Sequence, residues 1–507
     1  MCSNDTIVTV DSKKGSTMKN LTRRSFMKTA AAAGAAMAAY GPATGVLGAN
    51  EQLRIAVIGV GGQGSGHMRY FHGAEDAKLV AICDADRSQL EKRAAEFEKQ
   101  NGYQLRTYTD MRELFDDKEI DAVTTATPNY WHSLATIWAC QAGKDMYCEK
   151  PVSHNIWEGR KMVEAARKYD RIVQTGTQKR SSEAHPAAFA WLREGNLGEI
   201  KCVRSLCYKG RYEGTNGIVN GTNGPIPVPA SVDYNLWCGP ADMLPLTRKD
   251  LHYKWHWMWN TGNGDLGNQG IHEMDLGRWA LGDPKLAPRV MSFGGRFRVN
   301  DAGETPNTQI VFFDYKPVPL IFEVRGLPRK KDDKSMDGWA RTGTGVGMVV
   351  QCEGGYWAAG DGGGYVWNND NTRTDKRFSG GGGGGHHQNF LQAVKKHDVN
   401  HLNADIEKGH YSSALCHMGN VSYRLGRKMS VEEARNTIEN EHLLDSFDRM
   451  VEHLKVNEVD LEKEPITMGP MLSFDPEAEV FVGDMADMAN MYLKRNYREP
   501  FIVPNEV

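Results

Sequence analysis

The feature that most constrains the fold is the stretch from Leu53 to Gly64, which reads LRIAVIGVGGQG. Its first six residues form a mostly apolar run rich in β-branched side chains, as is typical of a buried parallel strand. Gly59, Gly61 and Gly64 follow the pattern G-x-G-x-x-G. The first glycine permits a tight turn, the second lets the backbone approach a pyrophosphate, and the third lets the next helix pack closely. The stretch therefore predicts a strand, a turn and a helix whose N-terminus holds a dinucleotide.

A second apolar run, residues 78–83, ends at Asp84, which lies 25 residues after Gly59. An acidic residue at this strand end suits the ribose hydroxyls of an adenosine and repels a 2′-phosphate. We therefore expect NAD rather than NADP, although Arg87 could soften this preference by pairing with a phosphate. A glycine-rich turn in another kind of α/β protein is the alternative.

Helices and strands alternate from residue 53 to about residue 175, which predicts a doubly wound parallel sheet. The expected helices span 88–100, 133–142 and 156–169, and the further strands span 120–126, 145–148 and 171–175.

Two short motifs follow predicted strands of this sheet. One is Thr127-Pro128-Asn129 with His132 three residues later, and the other is Glu149-Lys150-Pro151. With the glycine pattern and the acidic strand end, these motifs resemble the Gfo/Idh/MocA oxidoreductase family over nearly all of the chain after residue 50. The resemblance implies an α/β protein with an N-terminal Rossmann domain and a C-terminal α/β domain with a large open, mostly antiparallel sheet. It also implies NAD- or NADP-dependent chemistry on sugars or cyclitols.

The motifs and the resemblance together predict the residues that contact the cofactor. In the family the lysine of E-K-P, here Lys150, lies between the nicotinamide and the substrate, where a partly dehydrated cation stabilises an alkoxide. The alternative is a solvated surface lysine. The predicted cofactor contacts are Gly59, Gly61, Gly62, Gln63, Gly64, Asp84, Thr127, Pro128, Asn129, His132, Glu149 and Lys150.

Predicted substrate contacts follow the last Rossmann strand and a later tryptophan-rich segment. Gln178 and Arg180 come directly after that strand, so we expect them to line the cleft between domains. Trp255 and Trp257 are two residues apart, which on a strand places both rings on one face, suited to a sugar ring. The alternative is that these tryptophans belong to the core.

The family pairs a glycine-rich turn and an aspartate with a histidine four residues later. His272 matches that histidine, but the aspartate position holds Asn268. An amide cannot exchange a proton as a carboxylate does, although it can orient a hydroxyl. We therefore predict Lys150 and His272 as catalytic residues, with Asn268 and His272 contacting substrate. We expect no metal site, because the spacing of His252, His256 and His272 matches no familiar one.

The rest of the second domain alternates as antiparallel strands, at residues 290–299, 309–315, 320–325, 348–352 and 355–358. Residues 372–385, which end in six glycines, predict a mobile loop. Two helices, from residue 386 and over 404–426, are expected to return over the sheet and the cleft.

The N-terminal segment carries the sequence TRRSFMK at residues 22–28, which resembles a twin-arginine export signal. A weakly apolar stretch and a small-residue cleavage site at 47–49 follow it. We thus expect residues 1–49 to be an export segment, 50–175 the NAD-binding Rossmann domain and 176–507 the substrate-binding domain. The segment is too weakly apolar for a membrane span, and the expected location is periplasmic.

The composition limits the classes of ligand and partner that we expect. A net charge of −3 gives no basic footprint for nucleic acid. Nine scattered cysteines with no C-x-x-C argue against a disulfide framework or a structural zinc. We expect a homo-oligomer with a small carbohydrate substrate.

The predicted function is an exported NAD-dependent oxidoreductase acting on a sugar or glycoside, with a tightly bound cofactor regenerated in the site. The first alternative is a redox-neutral glycosidase that oxidises, eliminates, hydrates and reduces again. The second is a non-catalytic nucleotide or sugar sensor.

Overall fold

The computed structural model describes residues 52–507 of the chain, so the predicted export segment lies outside the described residues. The first domain alternates strands and helices, as the sequence predicts. Its strands are β1 Leu53–Ile58, β2 Ala77–Cys83, β3 Arg106–Tyr108, β4 Ala122–Thr125, β5 Asp145–Cys148 and β6 Val173–Thr175. Its helices are α1 Gly62–Gly73, α2 Arg87–Asn101, α3 Met111–Asp116, α4 His132–Gln141 and α5 Ile156–Lys168.

The six strands form one parallel sheet in the order β3-β2-β1-β4-β5-β6. The order reverses between β1 and β4, and in such sheets ligands bind beyond the strand carboxyl ends at this point. The predicted doubly wound sheet is confirmed.

The second domain is built on a twelve-stranded sheet in the order β14-β13-β12-β11-β7-β10-β9-β8-β16-β15. Off this path, β17 pairs with β8 and β18 pairs with β17. Neighbouring strands are antiparallel except for β7 and β10. The strands are β7 Ile200–Tyr208, β8 Arg289–Gly295, β9 Thr308–Phe313, β10 Leu320–Arg325, β11 Val346–Cys352, β12 Gly355–Gly360, β13 Gly363–Trp367, β14 Arg373–Ser379, β15 Arg427–Met429, β16 Ile466–Met468, β17 Leu472–Asp475 and β18 Val480–Val482. The expected large, mostly antiparallel sheet is confirmed.

Helices cover both faces of this large sheet. In β10, Leu320 and Phe322 pack with the helices at residues 184–193, 270–280 and 406–424, while Ile321 packs with the helix at residues 441–456 on the opposite face. The two-residue period of a strand requires this alternation. The helices are α6 Ala184–Arg193, α7 Tyr234–Cys238, α8 Leu251–Lys254, α9 Gly264–Asn268, α10 Gly270–Ala280, α11 His386–Lys396, α12 Ile406–Arg424, α13 Val431–Asn436, α14 Glu441–Val456 and α15 Ala486–Asn490.

Two local predictions are wrong. Residues 255–257 form a 3₁₀ turn after α8 rather than a strand, so Trp255 and Trp257 do not share a face. Residues 373–379 form β14, the edge strand that pairs with β13, so the predicted loop begins only after Ser379. The glycines after that strand misled the interpretation, because a polar, exposed edge strand has no hydrophobic alternation to reveal it.

The C-terminal third of the chain returns to the first domain. Phe390 and Leu391 of α11 pack with Leu53 and Ile55 of β1. Near the end of the chain, Phe501 joins the core formed by β4, α4 and α5. These contacts hold the two domains together around the cleft between them.

Residues 52–507 contain no helix that is both long and apolar enough to cross a bilayer. The eight cysteines of this part of the chain are buried free thiols.

Candidate functional site

A cleft of about 550 Å³ runs from the carboxyl edge of the parallel sheet to the start of the second domain's helices. It lies at the point where the strand order reverses. Ten of the twelve predicted cofactor residues line it, and these are Gly59, Gly61, Gly62, Gln63, Asp84, Thr127, Pro128, His132, Glu149 and Lys150.

The glycine turn at one wall has the geometry that the sequence predicts. Gly59 has φ +80°, and a Cβ there would lie 2.8 Å from the Thr127 backbone nitrogen. At Gly64 a Cβ would lie 1.7 Å from the Gly59 carbonyl oxygen, so this glycine packs α1 on the strand rather than lining the cleft. Gly61 and Gly62 face open space. The backbone at the start of α1 is therefore accessible to a pyrophosphate, whose charge it favours.

Two carboxylates, Asp84 and Asp110, lie near the glycine turn at one end of the cleft, which we call the adenosine end. Asp84 accepts hydrogen bonds from the backbone nitrogens of Val60 and Asp86, both at 2.9 Å, and Asp110 lines the same end. Burial raises the pKa of the Asp84 carboxyl. Arg87 points away, toward the carbonyl of Ala230. The arrangement suits a ribose with free hydroxyls better than one bearing a 2′-phosphate.

A segment of the second domain, residues 226–257, folds over this end of the cleft, and we call it the strap. Its Ser231 carbonyl accepts from the Arg87 nitrogen at 2.9 Å, and its Asp233 nitrogen donates to the Ala85 carbonyl at 2.9 Å. His252 pairs through Nε2 with the Asp86 carboxylate at 2.9 Å. The strap is thus attached to the Rossmann domain by backbone and side-chain bonds.

Further strap contacts involve the T-P-N-x-x-H segment. The Tyr130 hydroxyl donates to the Trp237 carbonyl at 2.6 Å, and the Trp131 indole donates to the Leu236 carbonyl at 3.0 Å. Leu236 and Trp237 both line the cleft. Asn129 is buried and donates to Asn263 of the second domain, so it connects the domains instead of lining the cleft.

Lys150 lies at the other end of the cleft with Lys209, His256, Asn268 and Gln269. We call this the reaction end, because the family resemblance predicts the catalytic lysine there. Its Nζ donates to the backbone carbonyl of Asn268 at 3.3 Å. Burial lowers the pKa of the Lys150 ammonium, Glu149 opposes this shift, and the charge of Lys209 adds to it. Lys209 itself donates to the Gln269 side chain at 2.9 Å. Two lysines are therefore each bonded to one of two consecutive residues where α9 meets α10.

Glu149 is buried beneath Lys150. Its Oε1 accepts from the amides of Gln63 at 2.9 Å and Gln178 at 3.1 Å, and it pairs with His67 Nε2 at 3.1 Å. Although burial opposes it, the hydrogen bond and charge of His67 hold the pKa of the Glu149 carboxyl well below its usual range. Glu149 is therefore ionised and supports the reaction end electrostatically.

His132 braces the two motif loops. Its Nδ1 lies 2.7 Å from the Pro151 carbonyl and its Nε2 lies 2.9 Å from the Thr127 carbonyl. The T-P-N and E-K-P segments are thus held to one another by a single buried side chain.

His272, the predicted partner of Lys150, lies one helical turn after Asn268 and is half-buried. Burial, followed by the charges of Lys150 and Lys179, holds the pKa of its imidazole well below the usual value. Its Nδ1 is buried with no hydrogen-bond partner among residues 52–507. The ring is therefore neutral. The charge of Lys150 acts on it, although the ring does not line the cleft itself.

His256 lines the reaction end and was considered from sequence only as a metal ligand. Its ring stacks on Trp255 with centroids 3.6 Å apart. Its Nδ1 lies 2.6 Å from the Tyr253 carbonyl, so Nδ1 carries the proton and Nε2 carries a lone pair. Burial lowers the pKa of His256 to about 3. His256 is therefore a neutral hydrogen-bond acceptor beside Lys150.

The predicted substrate residues fall into two groups. Trp255 and Asn268 line the cleft. Arg180 does not, because it is buried against Asp275 and Asp283, with Nε 2.7 Å from Asp275 Oδ2 and Nη2 2.7 Å from Asp283 Oδ1.

Trp257 and Gln178 also lie outside the cleft wall. Trp257 is fully buried and directs its indole toward Asp265 at 3.3 Å. The Gln178 side-chain amide donates hydrogen bonds to Glu149 and to the Tyr147 hydroxyl.

Several residues that line the cleft belong to none of the motifs that the sequence analysis identifies. Lys209, Gln269, Trp237 and Tyr253 line the cleft from the second domain and the strap. The one usable signal was position, since Lys209 directly follows β7 and Gln269 directly follows Asn268. Among the described residues no group of three or more His, Cys, Asp or Glu side chains is placed to hold a metal ion.

Comparison with family models matches both domains. Residues 53–177 match the model for the NAD-binding Rossmann fold of an oxidoreductase family, GFO_IDH_MocA. Residues 209–316 match the model for the C-terminal α/β domain of the same family.

Two curated relatives share part of the chain. Myo-inositol 2-dehydrogenase of Thermotoga maritima is 32% identical over 152 residues, which cover 30% of this chain and 44% of the relative. A glycosyl hydrolase family 109 protein of a Shewanella species is 28% identical over 206 residues, which cover 36% of this chain and 45% of the relative. The chain thus spans less than half the length of each relative.

Solved structures share the fold over most of the chain. An oxidoreductase from Agrobacterium radiobacter, in complex with NAD+, L-tartaric acid and magnesium, superposes with a TM-score of 0.51 at 17% identity, covering 72% of this chain and 94% of that one. The WlbA dehydrogenase from Bordetella pertussis, in complex with NADH and UDP-GlcNAcA, gives 0.50 at 19% identity with the same coverage.

Proposed function

Because residues 53–177 and 209–316 match the models of two domains of the Gfo/Idh/MocA oxidoreductase family, we propose that this chain is a member of that family. We propose further that it is an NAD-dependent oxidoreductase acting on a sugar or glycoside. The observation that carries the proposal is the single cleft that joins the glycine turn and Asp84 at one end to Lys150 at the other. A nucleotide sensor needs the first end only.

The cleft fits NAD. The open glycines at the start of α1 hold the pyrophosphate, Asp84 takes the ribose hydroxyls, and Lys150 lies where the nicotinamide half ends. When bound, NAD supplies reversible hydride acceptance.

Lys150 exchanges a proton with the substrate hydroxyl that is oxidised. A lysine whose pKa burial has lowered exchanges a proton with a substrate hydroxyl more readily, and as the ammonium it stabilises the developing alkoxide. His256, which is neutral and lines the cleft, accepts a hydrogen bond from a substrate hydroxyl. Trp255 offers a ring face to the C–H side of a sugar.

We also propose that the cofactor is retained and regenerated within the site. The strap supports this, because it is bonded to the Rossmann domain over the adenosine end, where it slows the release of a nucleotide. Retention suits an exported enzyme, which finds no supply of free NAD outside the cytoplasm.

The second candidate is a redox-neutral, NAD-dependent glycosidase, in which the same molecule is oxidised and then reduced after its aglycone leaves. The similarity to a glycosyl hydrolase family 109 protein favours it. The same cleft serves both reactions, so product analysis must separate them.

The test uses the protein as purified, with no added nucleotide. Mass spectrometry of small molecules released on denaturation should identify NAD. The protein is then incubated with a panel of glycosides, and afterwards with paired sugars as donor and acceptor, while reduced nicotinamide absorbance and product release are followed.

Oxidised donor and reduced acceptor in equal amounts support the retained-cofactor oxidoreductase. Aglycone release over many turnovers with no acceptor and no net NADH supports the glycosidase instead. Strict dependence on external NAD contradicts retention, and no turnover with any substrate despite bound NAD favours the sensor.

We further propose export by the twin-arginine route to the periplasm, and a homo-oligomeric state. Replacing Arg23 and Arg24 by lysine should trap the protein in the cytoplasm, as measured by cell fractionation. Light scattering of the purified protein gives the oligomeric state directly.

A further inference from the structure

A second pocket, of about 580 Å³, lies between the end of α12, the segment 259–263 and residues 491–496. It shares no lining residue with the cleft, so it is a separate cavity. Its wall combines cations, imidazoles and aromatic rings. The lining residues used below are His154, Trp259, His417, Arg424, Tyr492 and Arg495.

Two arginines in this wall have no carboxylate partner in the part of the chain that the structure describes. Neither the Arg424 nor the Arg495 guanidinium lies within 4.0 Å of a carboxylate oxygen in residues 52–507. Arg424 is held over two rings, with its Cζ 5.0 Å from the Trp259 centroid and 4.3 Å from that of Tyr492. A guanidinium stacked in this way keeps its N–H edge free for an oxyanion.

Arg495 is fixed from the other side. Its Nη2 donates to the backbone carbonyl of Asn260 at 2.7 Å and to the Asn260 side chain at 2.8 Å, while its Nη1 is buried with no partner in the described chain. A buried N–H of a cation without an acceptor is costly, and a bound anion would remove that cost.

Two imidazoles add unpartnered atoms of a different kind. His154 Nε2 and His417 Nδ1 are buried and make no hydrogen bond within residues 52–507. His417 is tethered through Nε2 to Ser153 Oγ at 3.2 Å. Burial keeps the pKa of His417 near 3 and that of His154 well below its usual value, so both rings are neutral. A ligand hydroxyl, which donates and accepts, satisfies either tautomer.

The carboxylates nearby do not neutralise the two arginines. Glu304 accepts the Trp259 backbone N–H at 2.6 Å, and Asp242 lines the pocket rim. The charge of Arg495 also acts on the buried Glu158, which accepts hydrogen bonds from Asn155 and Tyr497 and does not line the pocket. Three cations, Arg424, Lys494 and Arg495, and one carboxylate line the pocket, so its wall carries an excess of positive charge.

We propose that this pocket is a second ligand site, which binds a small hydroxylated oxyanion, such as a sugar acid or a sugar phosphate. Arg424 and Arg495 take the anionic group, and His154 and His417 take hydroxyls. The site does not depend on the reaction assigned to the cleft, because the two cavities have different walls.

The test is calorimetric titration of the full chain, with its nucleotide bound, using three probes. D-glucuronate and D-glucose 6-phosphate represent the two sources of the anionic group, and neutral D-glucose is the comparison. We expect saturable binding of at least one anionic probe, and the stronger of the two identifies the source.

Substitutions test whether the anionic probe binds in this pocket. Arg424→Gln should weaken the anionic probe about tenfold or more, whereas Arg427→Gln, an exposed arginine outside the pocket, should leave it unchanged. Met491 is 77% exposed and lines the pocket, so Met491→Trp should obstruct it without removing charge. Met488→Trp, on exposed α15 outside the pocket, is the matched control.

Binding of an anionic probe that is lost in both Arg424→Gln and Met491→Trp but kept in both controls supports the site. The proposal is overturned if no anionic probe binds, if D-glucose binds equally well, or if Arg424→Gln binds as the parent does. Retained nucleotide and an unchanged melting temperature verify that each variant is folded.

Discussion

The adenosine end of the cleft and its reaction end are assembled differently. Most of the Rossmann wall at the adenosine end comes from one continuous βαβ unit, with Gly59, Gly61 and Asp84 within 25 residues of each other. The reaction end brings together Lys150, Lys209, His256, Asn268 and Gln269, which come from four separate parts of the chain.

This difference determines what each end tolerates. At the adenosine end, backbone shape does most of the binding, and one substitution changes which nucleotide fits. At the reaction end, positions depend on packing between domains, and each side chain has a separate chemical role. Substitutions at the two ends should therefore separate binding from turnover.

The largest expected effect is at Lys150. Lys150→Ala should lower kcat by roughly 10²–10⁴-fold, because it removes a positioned proton carrier. Bound nucleotide should be retained, since Gly61, Gly62 and Asp84 are untouched. Turnover and nucleotide released on denaturation are measured together, with the exposed Lys201→Ala as control. Near-normal turnover would remove Lys150 from the mechanism.

A smaller change is expected at the other end of the cleft. Asp84→Asn removes the charge that opposes a 2′-phosphate, and it also replaces one of the two acceptors of the Val60 and Asp86 backbone N–H groups by a donor. The preference for NAD over NADP should fall roughly 10- to 100-fold, as expected for a charge-assisted contact. Competitive binding of the two nucleotides measures it. Arg87→Ala should change nothing, because Arg87 points toward Ala230. An effect of Arg87→Ala with none of Asp84→Asn would reverse the assignment.

The strap links both ends and offers a matched pair of histidines. His256→Phe should reduce kcat/KM roughly 5- to 30-fold, the loss expected for one hydrogen bond to substrate. Nucleotide should be retained. His252→Phe should do the opposite, releasing nucleotide faster because the bond to Asp86 is lost, while kcat of the loaded protein is kept. Identical effects of both substitutions would show that the strap acts only as a cover.

The same contrast explains what the sequence could predict. The glycine turn, Asp84 and the E-K-P motif encode their geometry within a few residues, so their positions in the cleft were predictable. Arg180 and Trp257 were not, because their burial depends on Asp275, Asp283 and Asp265, which are distant from them or unremarkable in sequence.

Position alone also misled in the tryptophan-rich segment. A spacing of two residues fits a strand, but here the residues belong to a 3₁₀ turn in which His256 rather than Trp257 faces the cleft. The local pattern does not distinguish these cases, since the deciding contacts are with the Rossmann domain and with Asp265.

The smallest expected effect tests the departure at Asn268. Lys150 contacts the backbone carbonyl of this residue, which any side chain at position 268 would leave in place. The aspartate that the family resemblance implies at this position would place a negative charge near Lys150 and His272, whereas Asn268 does not. Asn268→Asp should therefore raise the pKa of Lys150 on the order of one unit, because a nearby carboxylate favours the ammonium form. In the oxidising direction, where the free amine takes the hydroxyl proton, the rising limb of kcat/KM should move to higher pH by that amount. In the reducing direction, where the ammonium donates, the falling limb of kcat/KM should also move to higher pH.

Asn268→Ala is the control and should leave both limbs in place. A limb that moves to lower pH, or moves equally in the alanine variant, would show that Lys150 does not set the pH dependence.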